Sequence, residues 1–86
     1  MPYKIELTRQ AVKVLESMPA NMRALLIGKI RLLAQAPYAT GNNVSKLSGL
    51  DEFRLRVQGW RVIYRVLDDR TVLLVIKIGM RGDVYQ

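Results

Sequence analysis

The sequence contains no cysteine and no histidine, and it has only 7 acidic residues against 14 lysines and arginines. Without cysteine, a disulfide framework, a thiolate nucleophile, a zinc ribbon and an iron–sulfur site are all excluded. Without histidine, neither a Ser-His-Asp triad nor a histidine-based acid–base pair can form. Any catalysis by this chain must therefore use tyrosine, lysine, arginine or carboxylate side chains.

The small number of acidic residues leaves the 86-residue chain with a formal net charge of +7. Hydrophobic residues make up 50% of the sequence, which is typical of a globular domain and not of a disordered basic tail. This length predicts a single domain, residues 1–86, that buries roughly 60 to 65% of its unfolded surface on folding. We expect such a domain to bind a polyanion or an acidic protein.

The sequence also has no recognisable targeting segment. Its start, Met1-Pro2-Tyr3-Lys4, lacks the charged region, apolar stretch and small-residue cleavage site of a signal peptide. No apolar run approaches the roughly 20 residues that a membrane-spanning helix needs. A soluble, cytoplasmic protein without membrane contact is expected.

Hydrophobic periodicity predicts one strand, two helices and then three strands. Tyr3–Leu7 alternates like a strand, and Thr8 is suited to cap a helix over Arg9–Met18. A second helix is predicted over Ala20–Gln35, and Pro37 ends it. Both helices have an apolar stripe, which predicts that the helix hairpin covers one face of the sheet.

Three residues of the second helix stand outside this simple pattern. Gly28 costs up to about 1 kcal/mol relative to alanine, so we expect it to permit close approach of the two helices. Ile27 and Leu32 lie off the apolar stripe and either extend the core or face a partner.

The residues after the second helix, Tyr38–Ser45, are rich in small and polar side chains and are predicted to form a loop.

From Glu52 onward the hydrophobic period changes to two. If Gln58-Gly59 is a two-residue hairpin turn, the cross-strand pairs of both faces can be written down directly. One face is apolar or aromatic and belongs to the core; its pairs are Val57 with Trp60, Leu55 with Val62, and Phe53 with Tyr64. Trp60 beside the turn either packs in this core or stacks on a nucleotide base.

The other face of this hairpin carries the charge. Its pairs are Arg56 with Arg61, Arg54 with Ile63, and Glu52 with Arg65. Directly opposed like charges destabilise a sheet, and the guanidinium fork is suited to phosphate oxygens. This cluster is therefore either an anion-binding site or a solvated face that keeps the sheet soluble.

The last predicted strand, Thr71–Gly79, follows the turn Asp68-Asp69-Arg70. A three-residue connection is preferred because it places Lys77 on the solvent face, although the apolar residues of this strand leave its register open. Two glycines then bring Arg81 and Tyr85 towards one end of the sheet. Tyr85 is either a packing residue or a base.

Three stretches together resemble the RelE branch of the RelE/ParE toxin superfamily, the toxins of type II toxin–antitoxin systems. They are Lys46-Leu47-Ser48-Gly49-Leu50, the hairpin Phe53–Tyr64, and Ile78-Gly79-Met80-Arg81 with Asp83-Val84-Tyr85. The resemblance covers essentially the whole chain. It implies an α+β fold of order β-α-α-β-β-β, in which the helix hairpin packs on one face of a small, mainly antiparallel, twisted sheet.

The resemblance further implies an endoribonuclease that cuts mRNA in the ribosomal A site without a metal or other cofactor. The catalytic positions of the family correspond to Arg54, Arg56, Arg61, Arg81 and Tyr85. Because arginine stays protonated at neutral pH, Tyr85 is the expected base among them. The cations expected to bind RNA are Lys46, Arg54, Arg56, Arg65 and Lys77.

The implied partners are an acidic cognate antitoxin, the 70S ribosome and mRNA. Promoter DNA is expected to bind only through the toxin–antitoxin complex. Two alternatives remain open: a ParE-like toxin that poisons DNA gyrase without cutting RNA, and a basic nucleic-acid-binding domain without activity.

Overall fold

A computed structural model describes residues 3–37, 44–46 and 52–80 of the chain. The described elements, in chain order, are β1 (Lys4–Leu7), α1 (Arg9–Ser17), α2 (Ala20–Gln35), β2 (Val44–Lys46), β3 (Glu52–Val57), β4 (Trp60–Leu67) and β5 (Val72–Met80). This confirms the expected α+β class and the order of its main elements. Strand β2 is an addition, because the loop prediction had included Val44 and Ser45.

The strands form one five-stranded sheet in the order β1-β5-β4-β3-β2. Strand β1 runs parallel to β5, whereas the other neighbouring strands are antiparallel. The expectation of a mainly antiparallel sheet is thus confirmed. The parallel pair joins the first and last described strands of the chain, so β5 lies between the N-terminal strand and the β3–β4 hairpin.

Side chains bond to backbone groups at both ends of α1. The Thr8 hydroxyl caps α1 by accepting a hydrogen bond from the Ala11 N–H at 3.3 Å. At the other end, Arg23 of α2 donates from Nε to the Leu15 carbonyl and from Nη2 to the Met18 carbonyl, at 3.0 and 3.2 Å. The two bonds from Arg23 satisfy carbonyl groups that have no intrahelical hydrogen-bond partner at the end of α1. Neither α1 nor α2 is long and apolar enough to cross a membrane.

The core lies between the helices and one face of the sheet. It buries Leu15 of α1, Leu26 and Ile30 of α2, and the apolar face of the hairpin. Phe53 and Tyr64 stack there with ring centroids 5.5 Å apart. Trp60 is partly buried against the same core, in agreement with its interpretation as a packing residue.

The β3–β4 register confirms the pairing predicted from the turn. All six predicted pairs are present, from Glu52 opposite Arg65 to Val57 opposite Trp60. Gln58 has a φ of 55°, which belongs to the left-handed region that a tight two-residue hairpin turn requires.

The β4–β5 connection differs from the prediction. Leu67 pairs with Val72, so the turn contains four residues, 68–71, instead of three. A bulge then restores the face of Lys77, because Tyr64 pairs with Val75 whereas Ile63 pairs with Lys77. The predicted face of Lys77 is therefore confirmed, but by a longer turn combined with a bulge.

The role expected for Gly28 is wrong. Gly28 is exposed, and a Cβ atom added to it would meet no atom of the described residues within 4 Å. It therefore does not mediate close approach of the helices. Of the two residues off the apolar stripe, Ile27 is half-buried and Leu32 is 61% exposed.

The buried Tyr64 side chain allows a test of how its hydroxyl group affects the stability of the core. Its side chain is fully buried, and its hydroxyl has no hydrogen-bond partner among the described residues. Burial raises the pKa of Tyr64 to about 12. Replacing Tyr64 by phenylalanine should therefore leave the free energy of unfolding in urea unchanged within about 1 kcal/mol or increase it, because no hydrogen bond is lost.

The same substitution should also change the response to alkaline pH. In the wild type, an unfolded tyrosine ionises near pH ~10 while the folded one stays neutral, so stability falls as the pH rises above that value. The Tyr64→Phe variant should lose this part of the alkaline destabilisation. A loss of more than about 1 kcal/mol at neutral pH would instead show that the hydroxyl is hydrogen-bonded.

Candidate nucleic-acid interface

Four cations lie together on the sheet face opposite the helices. We call Arg54, Arg56, Arg61 and Lys77 the arginine face. Across the sheet they form two adjacent rows, one of Arg56, Arg61 and Gly79, and one of Ser45, Arg54, Ile63 and Lys77. Among the described residues neither row contains a carboxylate, so no acidic residue stands beside these cations in their own rows.

The arginine face contains a buried apolar residue. Ile63, which lies between Arg54 and Lys77 in its row, is only 5% exposed. Arg56 is exposed, whereas Arg54 and Arg61 are half-buried. Partial burial lowers the local dielectric constant and strengthens the attraction between a guanidinium and an anion. This surface is therefore better suited to bind an anion than a fully solvated one would be.

The Arg61 side chain has a hydrogen-bond donor that no described residue accepts from. Its Nε is buried and has no hydrogen-bond partner within residues 3–37, 44–46 and 52–80. Buried polar groups without a partner are rare in folded proteins and call for an explanation. Gly79 lies directly opposite Arg61 and contributes no side chain there. Arg61 is thus placed to donate to an anionic ligand.

The other cations expected to bind RNA do not all join this surface. Arg65 is on the same sheet face, but it lies opposite Glu52 in the next row. Lys46 lies opposite Phe53, on the face that the helices cover. Lys46 is therefore separated from the arginine face by the sheet, whereas Lys77 belongs to it.

The two remaining candidate residues, Arg81 and Tyr85, lie outside the described residues. Two described tyrosines lie elsewhere. Tyr64 is buried in the core on the opposite face. The Tyr3 hydroxyl donates to Asp68 at 2.6 Å, and this hydrogen bond raises the pKa of Tyr3. Neither tyrosine belongs to the arginine face.

Sequence reasoning missed the contribution of Gly79 to this surface. The register of β5 is the signal that would have found it, since it places Gly79 beside Arg61. That register was hidden because β5 is apolar on both faces over most of its length.

Comparison with known proteins places the chain in a toxin family. The model of the family described as the ParE toxin of type II toxin–antitoxin systems matches residues 5–85. Among curated relatives, the mRNA interferase toxin RelE of Escherichia coli is 26% identical over 87 residues, which cover 99% of this chain and 92% of that protein. Toxin RelG of Mycobacterium tuberculosis is 26% identical over 88 residues, with 100% and 99% coverage.

Solved structures of RelE toxins have the same fold. The archaeal RelE–RelB complex of Pyrococcus horikoshii matches with a TM-score of 0.83 and 30% identity, covering 96% of this chain and 99% of the matched chain. The intact RelBE toxin–antitoxin complex of E. coli matches with a TM-score of 0.80 and 25% identity, covering 93% and 98%. The chain therefore belongs to the RelE/ParE superfamily and is a RelE-like toxin of a type II toxin–antitoxin system.

Proposed function

We propose that this toxin is an endoribonuclease that cleaves mRNA in the ribosomal A site and thereby inhibits translation. The observation that carries the proposal is the pair of directly opposed arginines, Arg56 and Arg61, in a row without a carboxylate. Opposed like charges are unfavourable in a sheet, and a phosphate bound between them offsets that cost. Relatives named mRNA interferase support RNA as the anion.

The proposed reaction uses the ribose 2′-hydroxyl of the mRNA as the nucleophile. The phenolate form of Tyr85 accepts the 2′-proton, the bond from O2′ to phosphorus forms, and the bond from phosphorus to O5′ breaks. Arg61 and Arg56 stabilise the extra negative charge on the pentacovalent phosphate. Arg81 hydrogen-bonds the departing 5′-oxygen, and Arg54 positions the RNA backbone. The 5′-oxygen takes up a proton from water, so the products are a 2′,3′-cyclic phosphate and a 5′-hydroxyl.

The proposed protein partner is an acidic antitoxin. The net charge of +7 and the arginine face favour a partner of opposite charge. Solved relatives are described as complexes of RelE with RelB. In our proposal, the antitoxin neutralises the arginine face in a complex that salt weakens, and promoter DNA binds only to that complex.

A second candidate function is poisoning of DNA gyrase without RNA cleavage. The match to the family described as the ParE toxin favours it. The clustered arginines on the exposed sheet face favour RNA cleavage, because gyrase poisoning requires no group that stabilises a pentacovalent phosphate.

One experiment separates the two functions. The purified toxin is added to a translation extract, and primer extension maps breaks in the mRNA with and without ribosomes. We expect cuts within codons that require ribosomes and that disappear when the acidic product of the neighbouring reading frame is added. Intact mRNA together with cleaved plasmid in a gyrase reaction would instead identify a gyrase poison.

A further inference from the structure

Strand β5 is longer than its partner β1. Pairing between them ends at Leu7 opposite Val75, where the chain leaves β1 and enters α1. Beyond this point β5 continues to Met80. The backbone groups on that edge of β5 therefore need partners that β1 does not supply.

Side chains at the start of α1 supply these partners. The Thr8 hydroxyl donates to the carbonyl of Ile76, the residue at the bulge. The Gln10 side chain then bonds both backbone groups of Ile78. Its Nε2 donates to the Ile78 carbonyl at 2.9 Å, and its Oε1 accepts from the Ile78 N–H at 3.0 Å.

The Gln10 amide thus acts as a substitute for a strand. A primary amide carries an acceptor oxygen and an N–H on the same side, so it can bond the N–H and the carbonyl of one residue at once. Ile78 is 0% exposed, so its N–H and carbonyl depend on a protein partner more than those of an exposed residue. Gln10 therefore fixes the part of β5 that extends beyond the bulge.

This part of β5 is also the part that borders the arginine face. Lys77 and Gly79 flank Ile78, with Lys77 opposite Ile63 and Gly79 opposite Arg61. A change in the position of the β5 backbone at Ile78 therefore displaces the neighbours of Arg61. Gln10 belongs to α1 and lies on the side of the sheet that the helices cover. The arginine face lies on the opposite side.

We infer that Gln10 is a positioning residue for the RNA-cleaving site. It holds the end of β5 in register beside Arg61. This inference rests on the proposed function, and it concerns placement of the site, not contact with RNA.

The test replaces Gln10 by methionine, which keeps the side-chain length and the helix propensity but removes both hydrogen bonds. Gln35→Met is the matched control, because Gln35 is exposed on α2 and makes no side-chain hydrogen bond within the described residues. Gln10→Glu is a second variant that keeps the acceptor but loses the donor at neutral pH. Thermal unfolding verifies that each variant is folded at the assay temperature.

Two measurements are then compared. Hydrogen exchange at the Ile78 amide should accelerate roughly 10-fold in Gln10→Met, with a smaller acceleration at Lys77 and Gly79. The rate of mRNA cleavage at saturating toxin should fall by a similar factor, roughly 10-fold, whereas the half-saturating toxin concentration should change less than about twofold. A purely structural bond would leave the saturating rate of the folded variant unchanged.

The outcomes distinguish this inference from the proposed function. If the wild type cuts mRNA and Gln10→Met cuts equally fast at saturation, the inference is wrong although the proposed function stands. If the wild type does not cut mRNA, the proposed function fails and the catalytic part of the inference fails with it. Unchanged exchange at Lys77 and Gly79 would overturn the placement of the strand end in either case.

Discussion

Replacing Arg61 by alanine should slow ribosome-dependent mRNA cleavage by roughly 100- to 1000-fold. Arg61 is half-buried, its Nε has no partner among the described residues, and it lies directly opposite Arg56. In the proposed reaction it donates to the charge that develops on the pentacovalent phosphate. Loss of a single preorganised donor to such a charge costs a factor of this size in other enzymes.

The measurement is single-turnover cleavage of a defined mRNA on programmed ribosomes. Arg70→Ala is the matched control, because Arg70 is an exposed arginine in the β4–β5 turn at the far end of the strand from Arg61. It removes the same formal charge and should leave the rate within about twofold. Equal rates for Arg61→Ala and the wild type would show that Arg61 has no part in the reaction.

A lysine at the same position should separate charge from geometry. Lysine keeps the positive charge but lacks the rigid fork that binds two phosphate oxygens at once. Arg61→Lys should therefore cleave at a rate between those of the alanine variant and the wild type. If lysine restores the full rate, Arg61 contributes only charge.

Replacing Tyr85 by phenylalanine should slow cleavage by roughly 100- to 10,000-fold and remove its pH dependence. Arginines keep their protons, and the sequence has no histidine to titrate near neutrality. Positive charges near a tyrosine favour its phenolate. The wild-type rate should therefore rise with pH as the phenolate fraction of Tyr85 increases.

Tyr64→Phe is the control for this experiment. It makes the same chemical change in the core, on the opposite face of the sheet, where burial raises the pKa of Tyr64 to about 12. The hydrogen bond to Asp68 likewise raises the pKa of Tyr3, so both residues ionise above the usual range of a tyrosine. Tyr64→Phe should keep the wild-type rate and pH profile. A flat wild-type profile would remove Tyr85 from the role of base.

The β3–β4 hairpin shows how much of the site can be predicted from sequence. A two-residue turn at Gln58-Gly59 fixes every cross-strand pair, and the alternation of apolar and basic residues then assigns the two faces. This alternation is enough to place Arg54, Arg56 and Arg61 on one face. Their arrangement is local in sequence, which is why it was predictable.

The parts that could not be predicted depend on distant contacts. Residues Val72–Ile76 are all apolar, so no alternation distinguishes a three-residue turn from a four-residue turn with a bulge. The Gln10 bonds to Ile78 join residues 68 positions apart, and nothing in the local pattern around Gln10 indicates them. No register for Lys46 can be read from the sequence, and β2 places it on the face opposite the arginine face.

The parallel pairing of β1 with β5 affects when the protein can fold during its synthesis. Strand β1 is an edge strand whose one neighbour in the described sheet is β5. Residues 4–7 can therefore pair only after residues 72–75 have been synthesised. Contacts of such high sequence separation form late and slow the folding of a domain. During translation, β1 has no partner until the last strand has left the exit tunnel. We therefore expect the sheet to stay incomplete, and the toxin inactive, until residues 72–75 have been synthesised and paired with residues 4–7.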